Sequence, residues 1–126
     1  MKQEFDHVID SGERQSFQTG AVRDTQNHKG RYDLLPPYAI VRLAQHFENG
    51  AMKYQDRNWE KGIPLMRYLD SAIRHTVKLL DGQTDEDHAA AAMWNIACYI
   101  QTEKWIKDGI LPKELDDRPV RTQWTL

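Results

Sequence analysis

Three consecutive segments of the chain repeat apolar residues at the spacing of an α-helix, and this repetition constrains the fold more than any other feature of the sequence. The segments cover about 37–55, 65–81 and 85–108, and the short loops between them contain Gly, Asn or Pro. Each helix has an apolar stripe that must be covered, so helices joined by short loops pack against one another as a bundle. Signals for strands are weak. The sequence therefore predicts an all-α fold.

Two flanking segments lack this repetition. Residues 1–36 are rich in Gly, Gln, Asp, Thr and Arg, which predicts an irregular arm that ends at a Pro-Pro pair. Residues 109–126 contain two prolines and a pair of aspartates, which predicts a polar tail with at most one short helix. With 126 residues and 40% apolar content, the chain suits a single domain over 1–126 with a helical core at 37–108.

Charge and hydropathy exclude several classes of partner. The formal net charge is −2, so no general positive field draws in nucleic acid or an anionic membrane. No apolar run is long enough to span a bilayer, and the first ten residues are polar and acidic, so we expect a cytoplasmic protein. The single cysteine, Cys98, lies among apolar residues and is expected to pack in the core rather than to act as a nucleophile.

The third predicted helix places polar side chains inside its apolar stripe. At about 100° per residue, His88 and Asn95 fall on the same face as Ala91. Burying such groups without partners costs about 1–3 kcal/mol each, so they are either a satisfied structural pair or ligands of a bound group. Asp87 flanks this face, whereas Glu86 points about 160° away from His88, which favours Asp87 as the ligand of the two.

The first two predicted helices place an acidic residue at the border of the apolar stripe. Glu48 takes this position on the first helix and Asp70 on the second, where Arg74 follows one turn later and His75 lies at the opposite border. Taken singly, these groups also suit a solvated surface, with an exposed ion pair on the second helix. Acidic groups at the borders of three successive helices favour a Mg²⁺ or Mn²⁺ site, because hard cations prefer oxygen ligands. We expect the second helix to bury Leu65, Leu69, Ala72, Ile73, Thr76 and Leu80.

Positive and aromatic side chains in the arm and the loops suit a phosphorylated ligand that contains a base. Lys29 and Arg31 lie in the arm, and Lys53 lies at the end of the first helix. Such residues bind the phosphate groups of a polyphosphate, and Trp59 beside Asn58 offers a face on which a base stacks. The same residues also suit a solvated surface and ordinary loop packing.

Four ordered segments resemble those of a known family. They are TGAVRDTQNHKGRYDLLPP at 19–37, ENGAMKYQDRNWEKGIP at 48–64, RYLDSAIRH at 67–75 and DEDHAAAAMWN at 85–95. They are similar to the phage-borne dATP/dGTP diphosphohydrolase family, whose MazZ-like members occur in phages that replace adenine with 2-aminoadenine. The resemblance covers about 19–108, and four segments in order are more specific than any one of them alone.

The resemblance implies a fold and a reaction. The family is similar to the MazG-like all-α NTP pyrophosphohydrolases, which hold Mg²⁺ or Mn²⁺ with carboxylates on a helical bundle and act as dimers or tetramers. It implies hydrolysis of dATP or dGTP to the monophosphate and pyrophosphate. MazG-like enzymes usually carry an ExxE and an ExxD motif. Neither is intact here, since Ala92 and Asn95 stand where the acidic residues of ExxD are expected.

The site is therefore assigned from the residues that are present. As catalytic residues and metal ligands we predict Glu48, Asp70 and Asp87, with His88 and Asn95 as further metal ligands. As substrate-binding residues we predict Lys29, Arg31, Lys53, Asn58, Trp59, Arg74 and His75. One of the three carboxylates is the candidate general base.

Two other interpretations stay open. In the first, the same scaffold acts on another nucleotide, such as dUTP, dCTP or a damaged one. In the second, the chain is a non-enzymatic helical module that binds a partner protein. We expect a homodimer or homotetramer, because a mean hydropathy of −0.77 and a thin helical core leave apolar positions poorly covered. We also expect the arm to help close the nucleotide site, and we expect a host-cell location if the gene belongs to a phage.

Overall fold

A computed structural model describes residues 8–120. The chain divides into two compact units, Met1–Leu35 and Pro36–Leu126. The first seven residues of the predicted arm and the last six of the predicted tail lie outside the described residues.

The first unit contains a small β-hairpin that the sequence analysis did not predict. Strand β1 (Arg14–Ser16) pairs antiparallel with strand β2 (Val22–Asp24). The turn closes through the N–H of Phe17, which donates to the carbonyl oxygen of Ala21 at 3.0 Å, and Gly20 adopts a φ of 88° there. The prediction of a wholly irregular arm is therefore wrong at the hairpin, because strands of three residues are too short to show alternation.

Within residues 36–120, the second unit contains three α-helices. They are α1 (Pro37–Tyr54), α2 (Leu65–Leu80) and α3 (His88–Lys107), and short 3-10 turns occupy Asn58–Lys61 and Lys113–Leu115. The prediction of an all-α fold is confirmed, with the hairpin of the first unit as the exception among the described residues. None of the helices within 8–120 combines the length and the apolar character needed to cross a membrane.

Local signals explain where the helices begin and end. Pro37 takes the first turn of α1, where its missing N–H costs no hydrogen bond. Gly82 follows α2 with a φ of 76°, a conformation that favours glycine. Helix α3 begins after Asp87, whose side chain accepts a hydrogen bond from the N–H of Ala90 at 3.1 Å. Helix α3 therefore begins three residues later than the predicted start at about residue 85.

The core of the second unit lies mainly between α2 and α3, and α1 packs against α3. Cys98 is 1% exposed, and burial raises the pKa of its thiol to about 12, so its prediction as a core residue is confirmed. Four polar residues within 8–120 are also buried, among them His88 and Asn95, as predicted for the stripe of the third helix. The buried apolar residues among those described are Leu65, Tyr68, Ala72, Ala90, Ala91 and Cys98.

Helix α2 buries only part of the face that we predicted, because Leu65 and Ala72 are buried but other apolar residues of that face are exposed. Tyr68 and His75 are buried, whereas Ile73 is 64% exposed and Leu80 is 88% exposed. The most apolar stripe of α2 instead lines an open groove along α2 and α3, which we call the apolar groove. This groove has a volume of about 640 Å³ and is lined by Leu69, Ala72, Ile73, Thr76, Val77, Ala92, Met93, Ile96, Ala97 and Ile100.

The segment after α3 fastens the start of α2. The side chain of Asp117 accepts a hydrogen bond from the N–H of Met66 at 2.9 Å, and thereby satisfies one free donor at the start of α2. Arg118 donates to the hydroxyl of Tyr99 at 2.8 Å and also pairs with Glu103, both on α3. These contacts hold the first turn of α2 beside the middle of α3.

Candidate active site

A cleft of about 720 Å³ opens in the second unit and is lined by residues of all three helices and of the turn that precedes α2. We call it the polar cleft. Its volume lies within the range of about 300–1,000 Å³ that is typical of small-molecule sites. Its lining combines cationic, aromatic and amide side chains, namely Lys53, Arg57, Arg67, Arg74, Phe47, Tyr54, Trp59, Tyr68, Trp94, Asn49, Gln55, Asn58 and Asn95, together with His46, His75, Glu86 and Asp87.

Two histidines and a glutamate lie close enough together to hold one metal ion. The ligand atoms of His75, Glu86 and His88 all lie within 4.8 Å of one another, and we call this set the two-histidine group. The Nδ1 atoms of the two imidazoles are 2.9 Å apart, and both rings are buried, whereas Glu86 is exposed. Burial, and next the neighbouring Arg74, lower the pKa of His75, which favours the neutral imidazole that binds metals.

Asp85 contacts the outer nitrogen of His88. Its Oδ1 atom lies 2.8 Å from Nε2 of His88, and this hydrogen bond lowers the pKa of the Asp85 carboxyl. Because an ionised carboxylate only accepts hydrogen bonds, Nε2 of His88 carries the hydrogen and donates it. Nδ1 of His88 then accepts the hydrogen bond that joins the two imidazoles, and Nδ1 of His75, 2.9 Å away, donates it.

Asp87 has a structural role at the start of α3. It forms a two-point ion pair with Arg42 of α1, in which the Nε of Arg42 donates to Oδ2 at 2.9 Å. It also caps α3 through the N–H of Ala90, and the guanidinium of Arg42 lowers the pKa of Asp87 to about 2. Its oxygens are thus already engaged by Arg42 and by the helix.

The comparison of Glu86 with Asp87 corrects the helical-wheel prediction. The prediction that Glu86 faces away from His88 is wrong, because α3 begins at His88 and the wheel does not extend to the residues before it. The carboxylate of Glu86 belongs to the two-histidine group, whereas that of Asp87 pairs with Arg42.

The other two predicted carboxylates are exposed. Glu48 does not line the polar cleft, and Asp70 pairs with Arg67 at 3.1 Å rather than with Arg74. Within residues 8–120, the ligand atoms of Glu48, Asp70 and Asp87 do not gather into a group like that around His75. Their assignment as catalytic metal ligands stays a prediction.

Five of the predicted substrate-binding residues line the polar cleft, namely Lys53, Asn58, Trp59, Arg74 and His75. Asn95, predicted as a ligand, lines it as well, and its Nδ2 donates to the carbonyl oxygen of Ala91 at 2.8 Å, which leaves the amide oxygen for another partner. The structure thus brings together residues from separate parts of the sequence, although substrate binding by them stays a prediction.

The two predicted residues of the arm belong to the first unit. The Nζ of Lys29 lies 2.9 Å from the carboxylate of Asp24, and Arg31 pairs with Asp33 at 2.8 Å. Both cations therefore have acidic partners within their own unit, and their contact with phosphate stays a prediction.

An aromatic cluster forms one wall of the polar cleft. The ring of Trp59 stacks on that of Trp105, with centroids 5.6 Å apart and planes 11° apart. Phe47 lies between Trp59 and Trp94, with its centroid 6.2 Å and 5.9 Å from theirs. Trp59 is thus held from one side by Trp105 while it lines the cleft.

Sequence reasoning missed several polar residues around this site, among them Arg42, His46, Arg67 and Asp85. Arg42 and His46 lie one turn apart on α1, and burial lowers the pKa of His46. Their i,i+4 spacing on the first predicted helix could have indicated that the two side chains lie side by side. The prediction for that helix rested mainly on its apolar stripe and the acidic residue at its border. No local signal indicated Asp85, because its role depends on the turn between α2 and α3.

A comparison with protein families gives a match over most of the chain. The family described as "dATP/dGTP diphosphohydrolase, N-terminal" matches residues 19–110, which is most of the chain. No curated protein and no solved structure gives a significant match. The matched range includes the whole two-histidine group and every residue that lines the polar cleft.

Proposed function

The chain belongs to the dATP/dGTP diphosphohydrolase family, and on that premise we propose that it hydrolyses dATP and dGTP to dAMP and dGMP with release of pyrophosphate. The observation that carries this proposal is the polar cleft. It combines His75 and Glu86 of the two-histidine group with cationic and aromatic side chains in one cavity, and His88 contacts His75 directly. A nucleoside triphosphate needs this combination for its phosphates and its base.

We propose that the reaction depends on a divalent metal ion held by the two-histidine group. Two imidazoles and a carboxylate are a common ligand set for such ions, and the ligand atoms of these residues lie within 4.8 Å of one another. When bound, the ion supplies positive charge that stabilises the phosphate oxygens during hydrolysis. The buried rings of His75 and His88 keep their side of the site in a fixed position.

The cationic side chains of the cleft hold the triphosphate in this proposal. Lys53, Arg57, Arg67 and Arg74 line the cavity and come from α1, from the loop after it and from α2. Guanidinium groups bind phosphate oxygens through two parallel hydrogen bonds, which orients the chain of phosphates. With the phosphates held in one orientation, water attacks at one phosphoanhydride bond, and the products are the monophosphate and pyrophosphate.

The aromatic wall receives the base in this proposal. Trp59 is held in place by its stack on Trp105, so a base that packs near it meets a surface that is already ordered. Asn58 and Asn95 line the same cavity and offer amide groups for hydrogen bonds to the edge of a purine. We further propose a role in phage nucleotide metabolism linked to 2-aminoadenine DNA, for which the resemblance to MazZ-like members is the support.

We propose that two copies of the chain pair through the apolar groove. Its lining carries no charged residue, and Ile73, Val77 and Ile100 are each more than half exposed. A patch of this kind on a small domain with few buried residues is typical of a homodimer surface. The groove and the polar cleft share no lining residue, so this pairing leaves the cleft accessible.

The decisive experiment is product analysis with purified full-length protein. We expect dATP and dGTP to give monophosphate and pyrophosphate when a divalent metal is present, and no product in excess chelator. Release of single phosphates, or full activity in chelator, would contradict the proposal. Turnover of dUTP or dCTP alone would favour another substrate on the same scaffold, and no turnover with any nucleotide would favour a partner-binding module.

A pair of matched variants tests the location of the site. Glu86→Gln keeps the size of the side chain and removes a charged ligand, so we expect turnover to fall by about 100-fold or more with an unchanged helical spectrum. Glu114→Gln makes the same change at an exposed position outside the cleft and is expected to keep full turnover. Equal activity of the two variants would remove Glu86 from the proposed site.

A further inference from the structure

The donor atoms of the two-histidine group indicate which class of metal ion it takes. Two of its three side chains, His75 and His88, offer imidazole nitrogen, and Glu86 offers carboxylate oxygen. Imidazole is a good ligand for Co²⁺, Ni²⁺ and Zn²⁺ and a poor one for Mg²⁺, which prefers oxygen ligands and keeps much of its water. A site built for Mg²⁺ has carboxylates where this one has nitrogen.

The spacing of the two rings fits one shared ion. Two nitrogen ligands about 2.1 Å from an ion and at right angles to each other lie about 3 Å apart. The Nδ1 atoms of His75 and His88 lie 2.9 Å apart, joined by one hydrogen bond, and an ion bound by both atoms would replace the hydrogen between them. Both rings are more than nine-tenths buried, so they meet the ion without losing a large solvent shell.

Asp85 completes this arrangement from outside. A metal-binding histidine usually donates its second N–H to a carboxylate or a carbonyl, which fixes the ring and the tautomer. Asp85 accepts this hydrogen bond from Nε2 of His88 at 2.8 Å, and Nδ1 is the atom without a hydrogen of its own that faces His75. The carboxylate is 64% exposed, so it orients the ring without itself being part of the core.

We propose that the two-histidine group binds a late first-row transition-metal ion, such as Co²⁺, in preference to Mg²⁺, and that Asp85 is the residue that positions His88 for it. This inference rests on the proposed metal dependence and deepens it. It predicts an order of affinity in which Mg²⁺ binds most weakly, Mn²⁺ is intermediate and Co²⁺ binds most tightly. It also predicts that His88 carries its hydrogen on Nε2 before any metal binds.

The test measures metal binding directly, without nucleotide. Calorimetric titration of the full chain with MgCl₂, MnCl₂ and CoCl₂ is expected to give at least about a tenfold gain in affinity at each step, and bound Co²⁺ is expected to show a visible absorption spectrum with nitrogen ligands. Asp85→Ala is expected to weaken Co²⁺ binding by about 10–100-fold, and Asp85→Asn, which keeps an oxygen acceptor, to recover part of it. Asp81→Ala removes an exposed carboxylate at the end of α2 and is expected to keep the affinity of the unaltered chain.

A second readout separates positioning from a general loss of structure. Histidine-selective ¹⁵N NMR of the metal-free protein is expected to show His88 with its hydrogen on Nε2, and to show a mixture of tautomers in Asp85→Ala. Equal affinity for Mg²⁺ and Co²⁺, unchanged Co²⁺ binding in Asp85→Ala, or a hydrogen on Nδ1 of His88 facing a bare His75 would each overturn the proposal. Pyrophosphate release that persists with equal Mg²⁺ and Co²⁺ affinity would overturn the metal preference alone, and tight Co²⁺ binding without hydrolysis would overturn the proposed function alone.

Discussion

Helices α2 and α3 present two opposite kinds of surface, the polar cleft and the apolar groove. In the cleft, charged groups have specific partners, as Asp87 has in Arg42. In the groove, side chains such as Ile73 and Ile100 are exposed with no charged residue among their neighbours in the lining. Because one turn of α2 gives His75 to the cleft and Ile73 to the groove, apolar character alone does not identify which face of a helix packs inside its own chain.

The largest effect should come from placing a charge in the groove. Ile73→Asp is expected to weaken pairing of two copies by about 100-fold or more, because an unpaired carboxylate in an apolar interface costs several kcal/mol. The mass in solution, measured by light scattering, should change from a multiple of 14.8 kDa to the mass of one chain. Turnover at saturating nucleotide should change little, since the cleft lies on another face.

Ile110→Asp is the control for this experiment. Ile110 is 65% exposed, close to the 64% of Ile73, but it lies outside the groove. The Ile110→Asp variant should therefore keep the mass in solution of the unaltered chain. If both variants stay paired, the groove is not the surface between copies.

A smaller effect is expected from the cleft residue that fastens α3. Asp87→Ala removes the cap of α3 and the pair with Arg42, and should lower the free energy of unfolding by about 1–2 kcal/mol. Asp87→Asn should lower the free energy of unfolding by a smaller amount, because an amide oxygen still caps the helix. Asp108→Ala, at the other end of α3, should cost less than either, as measured by urea unfolding.

Asp87 also makes the stability of the folded chain depend on pH in the acidic range. Since the pKa of Asp87 is lowered to about 2 by Arg42, its stabilising charge is complete above its ordinary pKa of 3.8 and is lost as the pH falls toward 2. The free energy of unfolding should therefore fall more steeply over this pH interval in the unaltered chain than in Asp87→Asn. Parallel curves would show that the ion pair contributes nothing to stability.

The smallest effect concerns His46. Burial lowers its pKa in the folded chain, so the unfolded chain binds the proton more readily and stability falls as the pH drops below the ordinary value of 6.5. His46→Gln should reduce this loss, because the variant has no proton to gain there. The measurement is the melting temperature of both proteins between about pH 5 and pH 7, and an equal slope for both would count against a buried, neutral His46.

The sequence allowed the helices to be placed but not the roles of the acidic residues. The apolar repetition and the proline and glycine signals placed α1 and α2 to within one residue of their observed ends. The buried polar character of His88 was also predicted, since a histidine inside an apolar stripe is visible on a helical wheel. The assignments of Glu86 and Asp85 required the path of the turn before α3, and a wheel contains no information on residues outside the helix.

The side of α2 that packs inward was only partly predicted, for a related reason. The most apolar stripe was assumed to be the core, but only Leu65 and Ala72 of that stripe are buried, and Tyr68 and His75 are buried beside them. Periodicity shows that a helix has two faces, and the choice between them depends on what each face meets in three dimensions.

The contact between Asp117 and the start of α2 has a consequence for the order in which the cleft is made during protein synthesis. A chain grows from its amino terminus, so the N–H of Met66 has to wait for 51 further residues to be added before Asp117 is available to accept its hydrogen bond. Until then α2 lacks that bond at its first turn, where Arg67 and Tyr68 enter the cleft. A nascent chain that stops before Asp117 therefore contains the two-histidine group beside a first turn of α2 that lacks this hydrogen bond.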